Sequence, residues 1–278
     1  PPAIFMIVIS QVTNTSAVTL FVAGFIPAAV IMVCLMGLVY LRARKMDWPV
    51  DSKPSMSRLR QASLRASVPL VVPVVILGGF VMGIITATEA GAVVAGYAIV
   101  VAKLVYKNVS WRQMGVIAYD SAILTGSVVF LLAVASIFQY LMGVSGAPKF
   151  LADVLTPLQG HPELFLLGTA IISMLFGMIL EGLPAAVVLI PVVFPIAEQM
   201  GINPIHFNIV QTASVGIGLF LPPMGVGLLM ALKFSGLTVG QHFRTYTAYM
   251  GALFVGLLLI IVLPDISLAL PRAVGLIR

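Results

Sequence analysis

Cysteine, charge and recognisable catalytic signatures are what this chain has least of. Cys34 stands alone among 278 residues, which excludes an internal disulfide and a cysteine-based metal cluster. It reads as a small apolar residue inside a membrane helix. Charged residues make up 9% of the chain, where a soluble globular protein carries about 25%. No His-rich metal motif, Ser–Lys pairing or phosphate-cradling loop falls within the apolar stretches. That argues against a membrane-embedded enzyme, although a single dyad that includes Glu181 stays open. His161, His206 and His242 sit near the ends of predicted spans without metal-ligand spacing, as interfacial polar residues do. The net charge of +6 is not interleaved with aromatics and carries no nucleic-acid signal. The sequence opens on Pro1-Pro2, with neither Met nor a charged leader, and reads as a piece of a longer polypeptide.

What is present is apolar. Hydrophobic residues reach 60% and mean hydropathy is +1.14. The runs are long and unbroken rather than alternating over about ten residues, so the fold is an all-α membrane protein and not a barrel. Spans are predicted at about 17–41, 68–85, 90–105, 121–141 and 247–263, with longer interrupted stretches over 162–200 and 203–234. Pro69 and Pro73 interrupt the second of these, and Trp111–Tyr119 reads as a separate interfacial segment. Seven basic residues crowd between Arg42 and Arg65, three more are Lys103, Lys107 and Arg112, and Lys233 and Arg244 follow. These twelve of the fifteen Lys and Arg fall on one side of the membrane, which the positive-inside rule makes cytoplasmic.

The stretch Phe176–Met224 departs from this pattern. It is apolar enough for lipid yet holds Glu181 beside Gly182 and Pro184, and later Pro222-Pro223. A continuous helix through either point loses backbone hydrogen bonds. Broken backbone at membrane depth is tolerated only where protein or a watery cavity satisfies it. Two breaks, one beside a carboxylate, therefore point to a binding site. The limbs around Glu181 are two full spans or a re-entrant hairpin; charge parity fits both. Pro1-Pro2, an apolar run and Asn14-Thr15-Ser16 resemble Pro222-Pro223, an apolar run and Ser235-Gly236-Leu237 in opposite orientation. That is the mark of an inverted repeat.

Four segments carry a further resemblance: PPAIFMIVISQVTNTSAVTLFVAGFIP, GIITATEAGAVVAGYA, GMILEGLPAAVVLIPVVFPIAEQMGINPIHFNIV and IGLFLPPMGVGLL. In this order they are similar to the large membrane subunit of tripartite ATP-independent periplasmic (TRAP) transporters, over essentially the whole chain. The family's subunit is longer, so its first scaffold helices and first hairpin are expected upstream of Pro1. The resemblance implies an inverted-repeat, elevator-type transporter with a re-entrant helical hairpin and Pro-Pro-broken helices. On that plan, 1–16 ends a first broken helix and 17–160 forms scaffold and arm helices with the cytoplasmic loop 42–66. Residues 161–201 make the second hairpin, 202–240 the second broken helix, and 241–278 a last span and tail.

The implied function is sodium-driven import of small organic anions, such as sialic acid or C4-dicarboxylates, across the bacterial inner membrane. Implied partners are a small membrane subunit and a periplasmic substrate-binding protein; no cofactor beyond sodium as coupling ion is implied. Gly177, Gly218, Leu221 and Met224 match positions of the family's second sodium site, and Pro1 lies at the break beside the first. Leu221 stands where the family usually has Thr, so a hydroxyl ligand is lost. Glu181, Gly182, Pro184, Pro222 and Pro223 fall at the hairpin tip and the helix break that would face substrate. Glu181 is favoured as a site or tip residue over a carboxylate that merely bonds local backbone. Thr86, Thr88 and Glu89 match a Thr-Pro-Thr-Glu-Ala signature with Ala87 in place of Pro, where Glu89 is expected to cap a helix. Asn14–Ser16 reads as a capped turn, and Lys233 as a cation reaching the inner interface. A stand-alone sodium–anion symporter of related fold and a non-transporting scaffold subunit are the competing readings.

Overall fold

The computed structural model describes residues 3–46, 55–145, 160–180, 182–222, 225–236 and 239–277. Among these every regular element is helical. Among the described residues, seven helical segments are long and apolar enough to cross a membrane, from Ala17–Met46 to Thr245–Val262. The backbone divides into two compact units, Pro1–Lys45 with Val128–Arg278, and Met46–Ser127.

The first unit begins with α1 (Ile4–Val12), which buries Met6, Val8, Ile9 and Ser10. Asn14, in the left-handed region at φ 49°, ends it. Asn is among the few side chains that adopt this conformation readily. Ser16 then caps α2 (Ala17–Ala23) by accepting from the Thr19 N–H, as a short hydroxyl at N-cap does. Gly24 separates α2 from α3 (Phe25–Met46), whose last turn carries Arg44 and Lys45. Further along the chain come α7 (Pro162–Leu180), α8 (Gly182–Gln199), α9 (Pro204–Gly218), α10 (Val226–Ser235), α11 (Val239–Val262) and α12 (Asp265–Ala273). Asn203 caps α9 at the Ile205 N–H, with Pro204 at the first helical position, where the missing N–H costs nothing.

The core lies around α9. It packs against α7, α8, α11, α12, α1 and α2. Ile205 through Gln211 are buried without a gap, and so are Ser214, Val215, Ile217 and Gly218. A helix buried all round belongs at the centre of a bundle.

In the second unit, α4 (Met56–Val81) runs straight through Pro69 and Pro73, where the sequence suggested interruption. Each proline deletes one rung of the ladder. The carbonyls left without a helical donor are those of Arg65 and Pro69, and the helix carries both gaps. Tyr97 of α5 (Ala87–Val100) ties the two helices together nearby, its hydroxyl reaching the Val68 carbonyl at 2.7 Å. Thr86 and Glu89 form a full capping box at the start of α5, as expected. A short π-helix, Val101–Val105, follows. The interfacial segment and fourth span are one continuous helix, α6 (Trp111–Ser145), of which the residues up to Ser127 belong to this unit. Nothing between Tyr119 and Ser121 breaks a helix. At 35 residues it is about 52 Å long, well beyond a hydrocarbon core of about 30 Å.

Candidate functional site

The region of interest is the end of α7, the start of α8 and the break after α9. Contacts between α7 and α9 advance together. Gln211 donates from Nε2 to Thr169 Oγ1 at 2.9 Å and accepts from Ser173 Oγ, while Gly177 lies on Val215 further along. The two helices are therefore parallel, and their C-termini fall at the same end.

That end is closed by glycine. A Cβ at Gly177 would come within 2.8 Å of the Val215 carbonyl oxygen, and one at Gly218 would strike the Met174 carbonyl. Backbone lies on backbone, the close approach that small residues permit between membrane helices. Gly182, opening α8, sits over the same Val215 side chain and beside Phe5 of α1. Gly177, Gly182 and Gly218 are thus brought together. Pro184 lies in the first turn of α8, where a proline is tolerated.

Beyond Gly218 the α-helical ladder stops, and the four carbonyls from Gly218 to Leu221 each accept one hydrogen bond. Leu221 N–H reaches Gly218 O, Gly227 N–H reaches Leu219 O and Gly225 N–H reaches Leu221 O, each at 2.9 Å. Tyr246 of α11 gives its hydroxyl to the Phe220 carbonyl. A carbonyl oxygen has two lone pairs, so these four oxygens are held in place and each retains acceptor capacity. The ends of α7 and α9 add negative dipole ends, while the starts of α8 and α10 add positive ones. Such a point can hold a cation and an anion side by side. Leu221 and Pro222 belong to this non-helical loop. Pro1, Glu181, Pro223 and Met224 lie outside the described residues.

Residues 1–266 match the family described as tripartite ATP-independent periplasmic transporter, DctM component. The chain belongs to the DctM family. It is 34% identical over 99% of its length to the C4-dicarboxylate TRAP transporter large permease protein DctM of Pseudomonas aeruginosa, covering 65% of that protein. It is 29% identical to the 2,3-diketo-L-gulonate TRAP transporter large permease protein YiaN of Escherichia coli, over 96% of this chain and 63% of the relative. Against the sialic acid TRAP transporter large permease protein SiaM of Vibrio cholerae, identity is 28% over 98% of this chain and 64% of the relative. The chain thus spans a little under two thirds of the length of these relatives. They are transporter permease subunits, and this DctM-family chain is a multi-pass protein of the bacterial inner membrane rather than an enzyme.

Asn208 and Gln211 escaped the sequence reading. Asn208, fully buried, donates from Nδ2 to Thr13 Oγ1 at 2.8 Å and to Thr15 Oγ1 at 3.0 Å. The turn after α1, expected to be an ordinary capped turn, is thereby tied to the middle of α9. His206, expected at an interface, is 2% exposed and faces Ser267 of α12, Nδ1 to Oγ at 3.2 Å. The physical reason is α12, which covers the start of α9. The available signal was the spacing Asn208, Gln211, Ser214, which repeats every three residues in a mostly apolar helix and marks a buried polar stripe.

Proposed function

We propose that the chain is the permease of a sodium-coupled secondary transporter importing small organic anions that a periplasmic binding protein delivers, with a small membrane subunit as its second partner. The observation that carries this reading is the break after α9. Four ordered backbone oxygens, at the meeting of two helix C-termini, offer the hard, uncharged ligands a sodium ion prefers. The adjoining starts of α8 and α10 offer N–H groups to a carboxylate. Relatives named for C4-dicarboxylates, 2,3-diketo-L-gulonate and sialic acid support an organic-anion substrate. Leu221 contributes no hydroxyl, so its carbonyl, held by Gly225, is the ligand available at that position. Sodium is cargo in this scheme: its entry neutralises the negative helix ends and raises the affinity for the anion beside it. An elevator movement of the body built on α7–α9 would carry both across.

Uptake of a radiolabelled dicarboxylate and of sialic acid into proteoliposomes, using the full transporter with an imposed sodium gradient, tests the proposal. Uptake is expected only with both the gradient and the binding protein. Uptake without the binding protein assigns a stand-alone symporter, and uptake indifferent to sodium removes the ion from the scheme.

A further inference from the structure

The second unit holds a cavity that the transport reading does not use. About 310 Å³ in volume, it lies between the middle of α4 and the α5–π-helix junction. Its walls include Val68, Pro69 and Val72 on α4, with Ala98, Val101 and Ala102 opposite. They are almost wholly apolar. Its mouth is different. Tyr106, Asn108 and Val109 also line it, so Lys107 stands in its rim by chain position. Lys107 is exposed and in the left-handed region at φ 51°. On the other wall, Arg65 precedes Val68, Pro69 and Val72 by three, four and seven residues. That spacing puts Arg65 on the same helical stripe as the cavity wall, one turn nearer the loop.

Arg65 and Lys107 are exposed, and no described carboxylate lies within ion-pair reach of either. Lys103 is engaged otherwise: its Nζ donates to the Val109 carbonyl at 3.0 Å and sits 4.3 Å from the centre of the Trp111 ring. Trp111 marks the headgroup level. The π-helix Val101–Val105 widens the turn along this wall, a distortion frequent at functional sites. An apolar slot at acyl depth, opening on two unpaired cations at headgroup depth, has two chemically distinct ends.

We propose that this cavity is a specific site for an anionic phospholipid, with an acyl chain between α4 and the π-helix and the phosphate held by Arg65 and Lys107. The occupant is a lipid rather than a free anion, because only a molecule with an apolar tail fills the slot. The site is independent of the sodium-coupled reading and does not fail with it.

The test is native mass spectrometry of the delipidated full chain titrated with phosphatidylglycerol, phosphatidylcholine or inorganic phosphate. Phosphatidylglycerol is expected to bind at least tenfold more tightly than phosphatidylcholine. Arg65→Ala/Lys107→Ala should weaken it roughly thirty-fold, from the usual contribution of a basic residue at an anionic headgroup. Ala98→Phe, which fills the slot without touching charge, should weaken it several-fold. Arg60→Ala, about 140° around α4 from Arg65, should leave it unchanged. Helical circular dichroism of each variant confirms that the fold is kept. Equal binding of the two lipids, full competition by millimolar phosphate, an unaffected Ala98→Phe variant, or equal losses in Arg60→Ala each overturns the proposal.

Discussion

Two regions with similar hydropathy behave in opposite ways. The helix Gly182–Gln199 and the segment Thr88–Val105 have the same mean hydropathy of 1.6, yet 53% of the first is buried inside the protein and only 6% of the second. Around α9, burial comes with polar stitching and backbone contact at glycine. Along α4–α6, the described side chains are exposed or half-buried, with Ile76 and Ala90 the buried ones. In lipid, apolar side chains are at home on either side, so the hydrophobic effect does not draw helices together. Association rests on close packing and hydrogen bonds, which hydropathy does not report. What separates the regions is where Gly, Asn, Gln and Ser fall.

The sharpest way to break this comparison is with glycine. Gly218→Leu would drive side-chain atoms into the Met174 carbonyl, whereas Gly96 and Gly126 have nothing within 4 Å of a Cβ. Overpacking of this kind costs about 1–3 kcal/mol or more. Gly218→Leu should lower the thermal midpoint in detergent by several degrees and abolish sodium-dependent uptake. Gly96→Ala and Gly126→Ala should change neither, and an equal response at all three positions removes the distinction.

Next in size is the polar stitching. Gln211→Met removes the acceptor of the Ser173 hydroxyl and the donor to Thr169, whose own hydroxyl keeps its bond to the Leu166 carbonyl, and should cost about 1–3 kcal/mol in unfolding. A double-mutant cycle with Ser173→Ala should return a coupling of at least ~0.5 kcal/mol. Additive effects would mean that the Ser173–Gln211 bond is not formed.

A smaller effect is expected at Tyr246. Tyr246→Phe removes the donor to the Phe220 carbonyl, worth about 0.5–1.5 kcal/mol. Its signature should be local: faster amide exchange at Gly225 and Gly227, and weaker stabilisation by added sodium. The smallest is Thr86→Ala, which removes the cap of α5 at a cost of roughly 0.5–1 kcal/mol. It should leave the sodium response untouched. A shift in sodium affinity there would tie α5 to the ion site.

Much of the architecture was legible in the residues. Span positions follow from hydropathy, and the breaks near 181 and 222 follow from what glycine and proline do to a helical ladder. Thr86 and Glu89 announced their capping box by spacing alone. Pro69 and Pro73 were less readable, because a membrane helix can carry the single missing rung that each proline leaves. The same holds for Asp120 and Ser121, polar residues that a long helix simply carries. At the candidate site the glycines could be named, but not why they are glycine. Gly177 and Gly218 meet Val215 and Met174 across some forty residues of chain, and no local pattern encodes that pairing. The tie from Asn208 to Thr13 and Thr15 spans 195 and 193 residues and was equally hidden.

The enclosure of α9 has a mechanical consequence. It is gripped at His206 by Ser267, at Asn208 by the turn after α1, at Gln211 by two hydroxyls of α7 and at Gly218 by the Met174 backbone. A rod clamped at four heights on three neighbours can neither spin on its axis nor slide along it unless those grips let go. Any stroke that carries this helix through the bilayer must therefore carry α1, α7 and α12 with it as one piston.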